Sequence, residues 1–407
     1  MPAELTATAR VIVIGIGEDG WESLSAAARA AIASAHVLVG GARHLALIPH
    51  GGAERIPWPS PMLPFVDELV ARSRAQRVVV LASGDPLFYG VGTAFARRLA
   101  PGELEIVPHV SSTALACARL HWSAADNDVV SAVARPLEAV LARIQPERRL
   151  LVLSEDGATP GALAALLSVH GYGASTLDVF EHLGGPREAH LSGTAAHWPH
   201  ARCADLNLVA VTCAADAGTR PLPAVPGLRD DAYETDGALT KREVRAATLA
   251  RLLPLPGQLL WDVGAGTGSI GIEWMRTHPS CRAIAFERDA IRAARIARNA
   301  HALGVPELAV VTGDAPEVLA NQPAPDAIFI GGGIGTPELV ERCWSSLAPN
   351  GRLVANAVTV EGEAALARWQ AALGGELVRI LVSRAVPIGS LLTWRPHLPV
   401  TQWAVTK

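Results

Sequence analysis

Short runs of β-branched and aliphatic residues alternate with alanine- and leucine-rich stretches along the whole chain, and that alternation restricts the fold more than any other feature. VIVIGIG from Val11, RVVVLASG from Arg77, LEIVPHV from Leu104, RLLVLSE from Arg149 and LNLVAVT from Leu206 are continuous apolar runs of strand length. Such runs, apolar on both faces and separated by helix-length segments, predict an α/β chain with mostly parallel sheets. With 407 residues the chain exceeds what one core supports. The pattern breaks at AADAGTRPLPAVPGLRDD, residues 214–231, a stretch rich in Pro, Gly and Ala with no period. We therefore expect one module over residues 1–213, a linker over 214–231 and a second module over 232–407. The second reads as a helix from Thr240, strand QLLWDVG, helix, strand CRAIAFE, helix, strands LAVVTGD and DAIFIGG, helix, strand GRLVANAV, helix and two closing strands. That order is a doubly wound, Rossmann-like domain.

Charge and cysteine use exclude several classes. Lys and Arg number 35 against 39 Asp and Glu, too even a balance for a protein that tracks a nucleic-acid backbone. The five cysteines form no CxxC pair and are odd in number, which predicts a reducing compartment, with neither a zinc site nor a disulfide framework. The run Val11–Ile16 is too short for a signal-peptide core, and no run of about eighteen apolar residues occurs, so a cytoplasmic location away from membranes is expected.

WDVGAGTGSIGIEW carries Gly264, Ala265, Gly266, Thr267 and Gly268 between a strand and a helix, where bare backbone N–H groups can approach a nucleotide-like cofactor. Glu287, nineteen residues beyond Gly268 at the end of the next strand, is placed to accept two ribose hydroxyls. Asp314 and Ala315 end the third strand, where an adenine edge would lie. The pattern lacks the G-x-G-x-x-G step that gives a pyrophosphate its helix N-terminus, and Asp262 just ahead of it suits a cationic methionine moiety. The loop closely resembles that of class I methyltransferases, which implies their fold and S-adenosylmethionine. The fourth strand ends in Gly331, Gly332 and Gly333, which offer space and no base, unlike the Asn/Asp-Pro-Pro-aromatic tetrad of amino-group methylases. Thr240 and Glu243 read as a capping box. Lys241, Arg242 and Arg245 cluster at that helix start, where cations are disfavoured unless an anion is near, so they are candidates for docking substrate carboxylates.

In the first half, GIGEDG (Gly15, Gly17, Gly20) matches the dinucleotide fingerprint, but Glu18 and Asp19 would lie where a pyrophosphate must sit, and HVLVGG ends without a ribose-binding acid. Three strand ends should converge: GIGEDG, the loop Ser83-Gly84-Asp85-Pro86, and Pro108 to the pair Ser111-Ser112. This set closely resembles the tetrapyrrole methylase family, with His109 in place of the usual glycine of its P-G-x-S-S segment. The resemblance implies two α/β subdomains with S-adenosylmethionine in the cleft between them, lined by Gly84, Asp85, Ser111 and Ser112.

A tetrapyrrole methylase fused to a class I methylase is similar to the bifunctional, decarboxylating precorrin-6Y methyltransferases of cobalamin biosynthesis. The resemblance implies one S-adenosylmethionine per module, methylation of precorrin-6B at carbons 15 and 5 with loss of carbon dioxide from the carbon-12 acetate, and precorrin-8X as product. It implies Thr240, the Gly264–Gly268 loop, Glu287 and Ala315 as cofactor positions, and a self-associating chain with a small-molecule tetrapyrrole partner. A cobalt-containing substrate and a dinucleotide-dependent oxidoreductase are the alternatives.

Overall fold

The computed structural model describes residues 10–407. Contacts group the chain into two units, one reaching to Arg135 and resuming over Pro146–Thr219, the other made of Arg220–Lys407 with Pro136–Gln145.

The first unit holds two five-stranded sheets. Val11–Ile16 sits next to the edge of the first, in the order Glu54–Pro57, Val37–Gly40, Val78–Ser83, Val11–Ile16, Leu104–Val107, and every pairing is parallel. Residues Val11 to Ile14 are buried on both faces, as a helix-covered parallel strand must be. The second sheet runs Asp128–Ser131, Arg149–Leu153, Asn207–Thr212, Thr176–Glu181, Ala189–Thr194. Only its first pair is parallel, so the expectation of parallel sheets holds for one sheet of this unit and not for the other. Strand-like composition does not encode direction, and only Thr176–Glu181 and Ala189–Thr194 are joined by a short return, while Asn207–Thr212 inserts antiparallel between two strands distant in sequence.

The second unit is a seven-stranded sheet in the order Ala309–Thr312, Arg282–Glu287, Leu259–Val263, Ala327–Ile330, Arg352–Ala357, Val400–Thr406, Glu376–Ile380. Its first five strands pair parallel, and Val400–Thr406 runs antiparallel to both of its neighbours, Arg352–Ala357 and Glu376–Ile380. Trp261, Trp274 and Trp403 are fully buried across its two helix-covered faces. Four strands close the chain where two were expected, because Ser383–Ile388 and Leu391–Pro396 form a separate hairpin.

The end of the expected linker is structured. Gly227 and Leu228 donate backbone hydrogen bonds to the buried Glu273 carboxylate, and a short 3-10 turn follows at Asp230–Ala232. Pro/Gly composition marks the break in periodicity there, and the last residues of the stretch are held by these hydrogen bonds.

Candidate functional site

The strand order of the second unit's seven-stranded sheet reverses direction at Leu259–Val263, whose neighbours Arg282–Glu287 and Ala327–Ile330 continue to opposite sides, and that switch point opens a crevice beyond the strand ends. A cavity of about 1190 Å³ fills it. It brings together Thr240, Lys241, Gly264, Ala265, Gly266, Thr267, Glu287, Asp314 and Ala315, as well as Gly331, Gly332 and Gly333. Gly264, Gly266 and Gly268 all have positive φ, at 70°, 61° and 76°. A side chain on Gly268 would meet Ile296 at 2.7 Å, so this glycine is there for helix packing and does not line the cavity. Gly266 would meet nothing closer than 3.5 Å, and its freedom serves the open space. Glu287 Oε2 accepts from Gly266 N at 2.8 Å and Oε1 from Asp289 N at 3.1 Å, which fixes the carboxylate against the loop. Each oxygen keeps a lone pair for a hydroxyl.

Asp262 does not line the cavity. It is 1% exposed, its Oδ2 accepts from Gly271 N at 2.9 Å, and its Oδ1 has no partner. Burial pushes its carboxyl up to about 7, against the Gly271 hydrogen bond and with the help of the nearby Glu287 charge. The carboxylate expected beside a cationic moiety thus stands one layer behind the loop, holding the helix Ser269–Thr277 to it.

Among the three candidate docking cations, Arg245 must be corrected. Its side chain is 0% exposed. Nε bonds Glu273, Nη1 reaches Thr240 O at 2.5 Å and Asp230 at 3.3 Å, and Nη2 bonds Leu228 O. Tyr233 donates to the same Glu273 at 2.8 Å and stacks under the guanidinium. Every donor group is spent inside the protein, so Arg245 fastens the Gly227–Thr240 segment and cannot dock substrate. Arg242 is exposed but does not line the cavity, whereas Lys241 does. The capping box is also displaced. The helix spans Arg242–Leu252 with Lys241 at the N-cap and no side-chain cap, and Glu243 instead bonds Arg384 at 2.8 Å.

Sequence reasoning passed over Arg288, Asn356 and His397, which also line the cavity. Asn356 is committed to Thr248 and Gln402. Arg288 follows Glu287 in AFERD, and its position beside the ribose acid was the signal available.

In the first unit the three loops meet as expected. Gly84 N donates to Ile16 O and His109 N to Gly84 O, both at 3.1 Å. A side chain on Gly15 would stand 1.9 Å from Gly84 O and 2.6 Å from His109 N. Asp85 Oδ1 accepts from Leu87 N at 2.8 Å, a local turn. Ser111 caps the helix Ser112–Leu120 through Ala114 N. Glu18 is held by protein partners: Arg43 and His182 hydrogen-bond it and Arg187 lies 3.8 Å away. Burial raises its pKa, but the His182 and Arg43 bonds outweigh that and hold it below the usual range. A smaller cavity of about 510 Å³, between Trp21 and Arg55, touches none of Gly84, Asp85, Ser111 and Ser112.

Family models match both halves: Tetrapyrrole (Corrin/Porphyrin) Methylases over residues 10–198, and the Precorrin methyltransferase domain over 231–407. A Sinorhizobium sp protein named Precorrin-6Y C(5,15)-methyltransferase [decarboxylating] is 50% identical over 398 residues, covering 97% of this chain and 96% of its own length. The chain belongs to the precorrin-6Y C(5,15)-methyltransferase (decarboxylating) family. Two further relatives each cover only part of it. Cobalt-precorrin-7 C(5)-methyltransferase of Salmonella typhimurium is 31% identical over 42% of this chain and 84% of its own length. A probable cobalt-precorrin-6B C(15)-methyltransferase (decarboxylating) of Pyrobaculum calidifontis is 35% identical over 40% of this chain and 86% of its own. The family makes the chain an S-adenosylmethionine-dependent methyltransferase of cobalamin biosynthesis with a tetrapyrrole substrate. No helix among the described residues is long and apolar enough to cross a membrane.

Proposed function

We propose that residues 232–407 methylate carbon 15 of precorrin-6B and release carbon dioxide from the carbon-12 acetate, that residues 1–213 methylate carbon 5, and that precorrin-8X leaves. The observation that carries this is the cavity at the switch point, where the glycine loop, Glu287 and Asp314 share one wall and Lys241 and Arg288 supply cations for the carboxylates of a tetrapyrrole. Two relatives that each match about two-fifths of the chain, one named for C(5) and one for C(15) with decarboxylation, support the division.

Each half holds its own S-adenosylmethionine: Thr240, Gly264 to Thr267, Glu287, Asp314 and Ala315 in the second, Gly84, Asp85, Ser111 and Ser112 in the first. When bound, it supplies an electrophilic methyl group. The open face of Gly266, and Glu287 held beside it, fit a ribose there. The chain's own task is to hold an electron-rich ring carbon in line with that group and to keep water out. The apolar side chains Ile388, Leu391, Leu392 and Trp394, all on the outlying hairpin and all more than 60% exposed, are the surface a second copy would cover.

Incubation of the full chain with precorrin-6B and S-adenosylmethionine, read by product mass, tests the assignment. A gain of two methyl groups with loss of carbon dioxide is expected. A fragment beginning at Arg220, which keeps Gly227 and Leu228 on the buried Glu273, should add one methyl and release carbon dioxide, and two methyls from that fragment would refute the split. Turnover of cobalt-precorrin-6B alone would move the enzyme to the cobalt-containing branch.

A further inference from the structure

The strand order divides the cavity of the second unit into two halves. Leu259–Val263, Arg282–Glu287 and Ala309–Thr312 lead into the glycine loop, Glu287 and Asp314, while Ala327–Ile330, Arg352–Ala357, Val400–Thr406 and Glu376–Ile380 continue away from them. From the last three of these strands the cavity takes Asn356, Val400 and Ile380. One amide is therefore the polar side chain that this far part of the sheet offers, on the side away from the cofactor loop.

Asn356 pairs with Gln402 across the antiparallel strands, and its side chain reaches Thr248 on the helix Arg242–Leu252. The Thr248 hydroxyl donates to Val244 O at 2.8 Å, so its oxygen can only accept, and both amide neighbours must offer it N–H. Asn356 Nδ2 does so at 3.1 Å and Gln402 Nε2 at 3.0 Å. Gln402 gives its second N–H to Asn356 Oδ1 at 2.9 Å. The Asn356 amide is thereby fixed in one orientation. Of its two N–H groups, Thr248 takes one, and no acceptor among the described residues takes the other.

The packing shows where that second N–H can go. Thr248 and Gln402 are 0% and 2% exposed and lie outside the cavity wall. Val244, one turn ahead of Thr248, and Val400, two residues ahead of Gln402 on the same strand face, belong to that wall. Asn356 is half-buried between these two layers, so its partners stand behind it and its open side faces the cavity.

Resting on the carbon-15 and decarboxylation reading above, we propose that Asn356 positions the tetrapyrrole by donating its free Nδ2–H to a carboxylate arm that the product keeps, with Thr248 holding the amide in place. A hydrogen bond to the departing acetate would weaken as its charge passes into the ring, and would slow the reaction by favouring the ground state. A bond to a retained arm is equally strong in both states, and it fixes which ring carbon meets the methyl group. Lys241 precedes Val244 and Thr248 by three and seven residues on one helix face, so an ammonium and a neutral donor can hold two arms of one ring.

The test measures carbon dioxide release by the full chain against precorrin-6B concentration, with S-adenosylmethionine saturating. Asn356→Asp keeps the side-chain size and the bond from Gln402 but puts a negative oxygen in place of the donor. It should raise KM about 30-fold and leave kcat and S-adenosylmethionine affinity within about threefold. An unchanged KM would overturn the proposal. So would a fall in kcat of about tenfold or more, which would put the amide on the departing acetate. Thr248→Val should raise KM about fivefold by freeing the amide, and Thr248→Ser should restore it. A KM that Thr248→Val leaves unchanged would remove Thr248 from the account. Should these variants fail to fold, the wild type labelled with nitrogen-15 asparagine decides it by NMR. One Nδ2 proton of Asn356 should shift when precorrin-6B joins the enzyme holding S-adenosylhomocysteine, and a signal that stays in place would overturn the proposal. Failure of the wild type itself to release carbon dioxide would instead remove the underlying functional reading.

Discussion

The chain contains two glycine-rich strand ends, GIGEDG and GAGTG, and they use glycine for opposite reasons. In the first, Gly15 is glycine because the backbone of the Ser83–Pro86 and Pro108–Ser112 loops presses against it, at 1.9 Å from where a side chain would begin. In the second, Gly266 faces a cavity and has no neighbour within 3.5 Å of that point. The adjoining carboxylates differ in the same sense. Glu18 is ion-paired with Arg43 and hydrogen-bonded to His182, while Asp262 is buried with one oxygen unpaired. Similar text thus marks a packed junction in one unit and the wall of an open cavity in the other.

The largest expected effect tests the carboxylate contrast. Asp262 has its pKa raised from 3.8 to about 7, so the folded state prefers the protonated form. Stability is then fullest below about 4 and declines as pH rises to about 7, by roughly 4 kcal/mol for a shift of roughly three units. Asp262→Asn should flatten urea unfolding of the second unit between pH 5 and 7, and an unchanged slope would place the titration elsewhere. Glu18 should act with the opposite sign, its lowered pKa giving a contribution that is lost as pH falls.

Next comes Gly15→Ala, which forces a methyl group into backbone and should cost about 3 kcal/mol of first-unit stability in a thermal melt. An innocuous Gly15→Ala would remove the packing account of that loop. Glu287→Gln should weaken S-adenosylmethionine binding at the second site about tenfold, through a poorer acceptor for ribose hydroxyls, and lower the melting temperature slightly, since its amide nitrogen cannot accept from Gly266 N or Asp289 N. The smallest effect is expected from Gly266→Ala, about 1 kcal/mol of strain at φ 61°. If it destabilised as much as Gly15→Ala, the two loops would not differ as described.

This contrast also shows how far the sequence could be read. Strand, turn and acid follow one another locally, so the Gly264–Gly268 loop, Glu287 and Asp314 were legible, and the structure sets all but Gly268 around one cavity. Arg245 was misread because a cation one turn into a helix looks the same whether it faces solvent or a buried Glu273 28 residues further along the chain. His397 was missed because a lone histidine beside prolines carries no motif, and only the return of Ser383–Pro396 as a hairpin brings it to the cavity. Antiparallel pairing in the second sheet was invisible because strand composition is direction-blind.

Calorimetric titration of the full chain with S-adenosylmethionine measures the number of donor sites directly. Two equivalents per chain are expected, with Glu287→Gln weakening one and leaving the other untouched. A single equivalent, abolished by a change in the second unit alone, would contradict a donor site in each half.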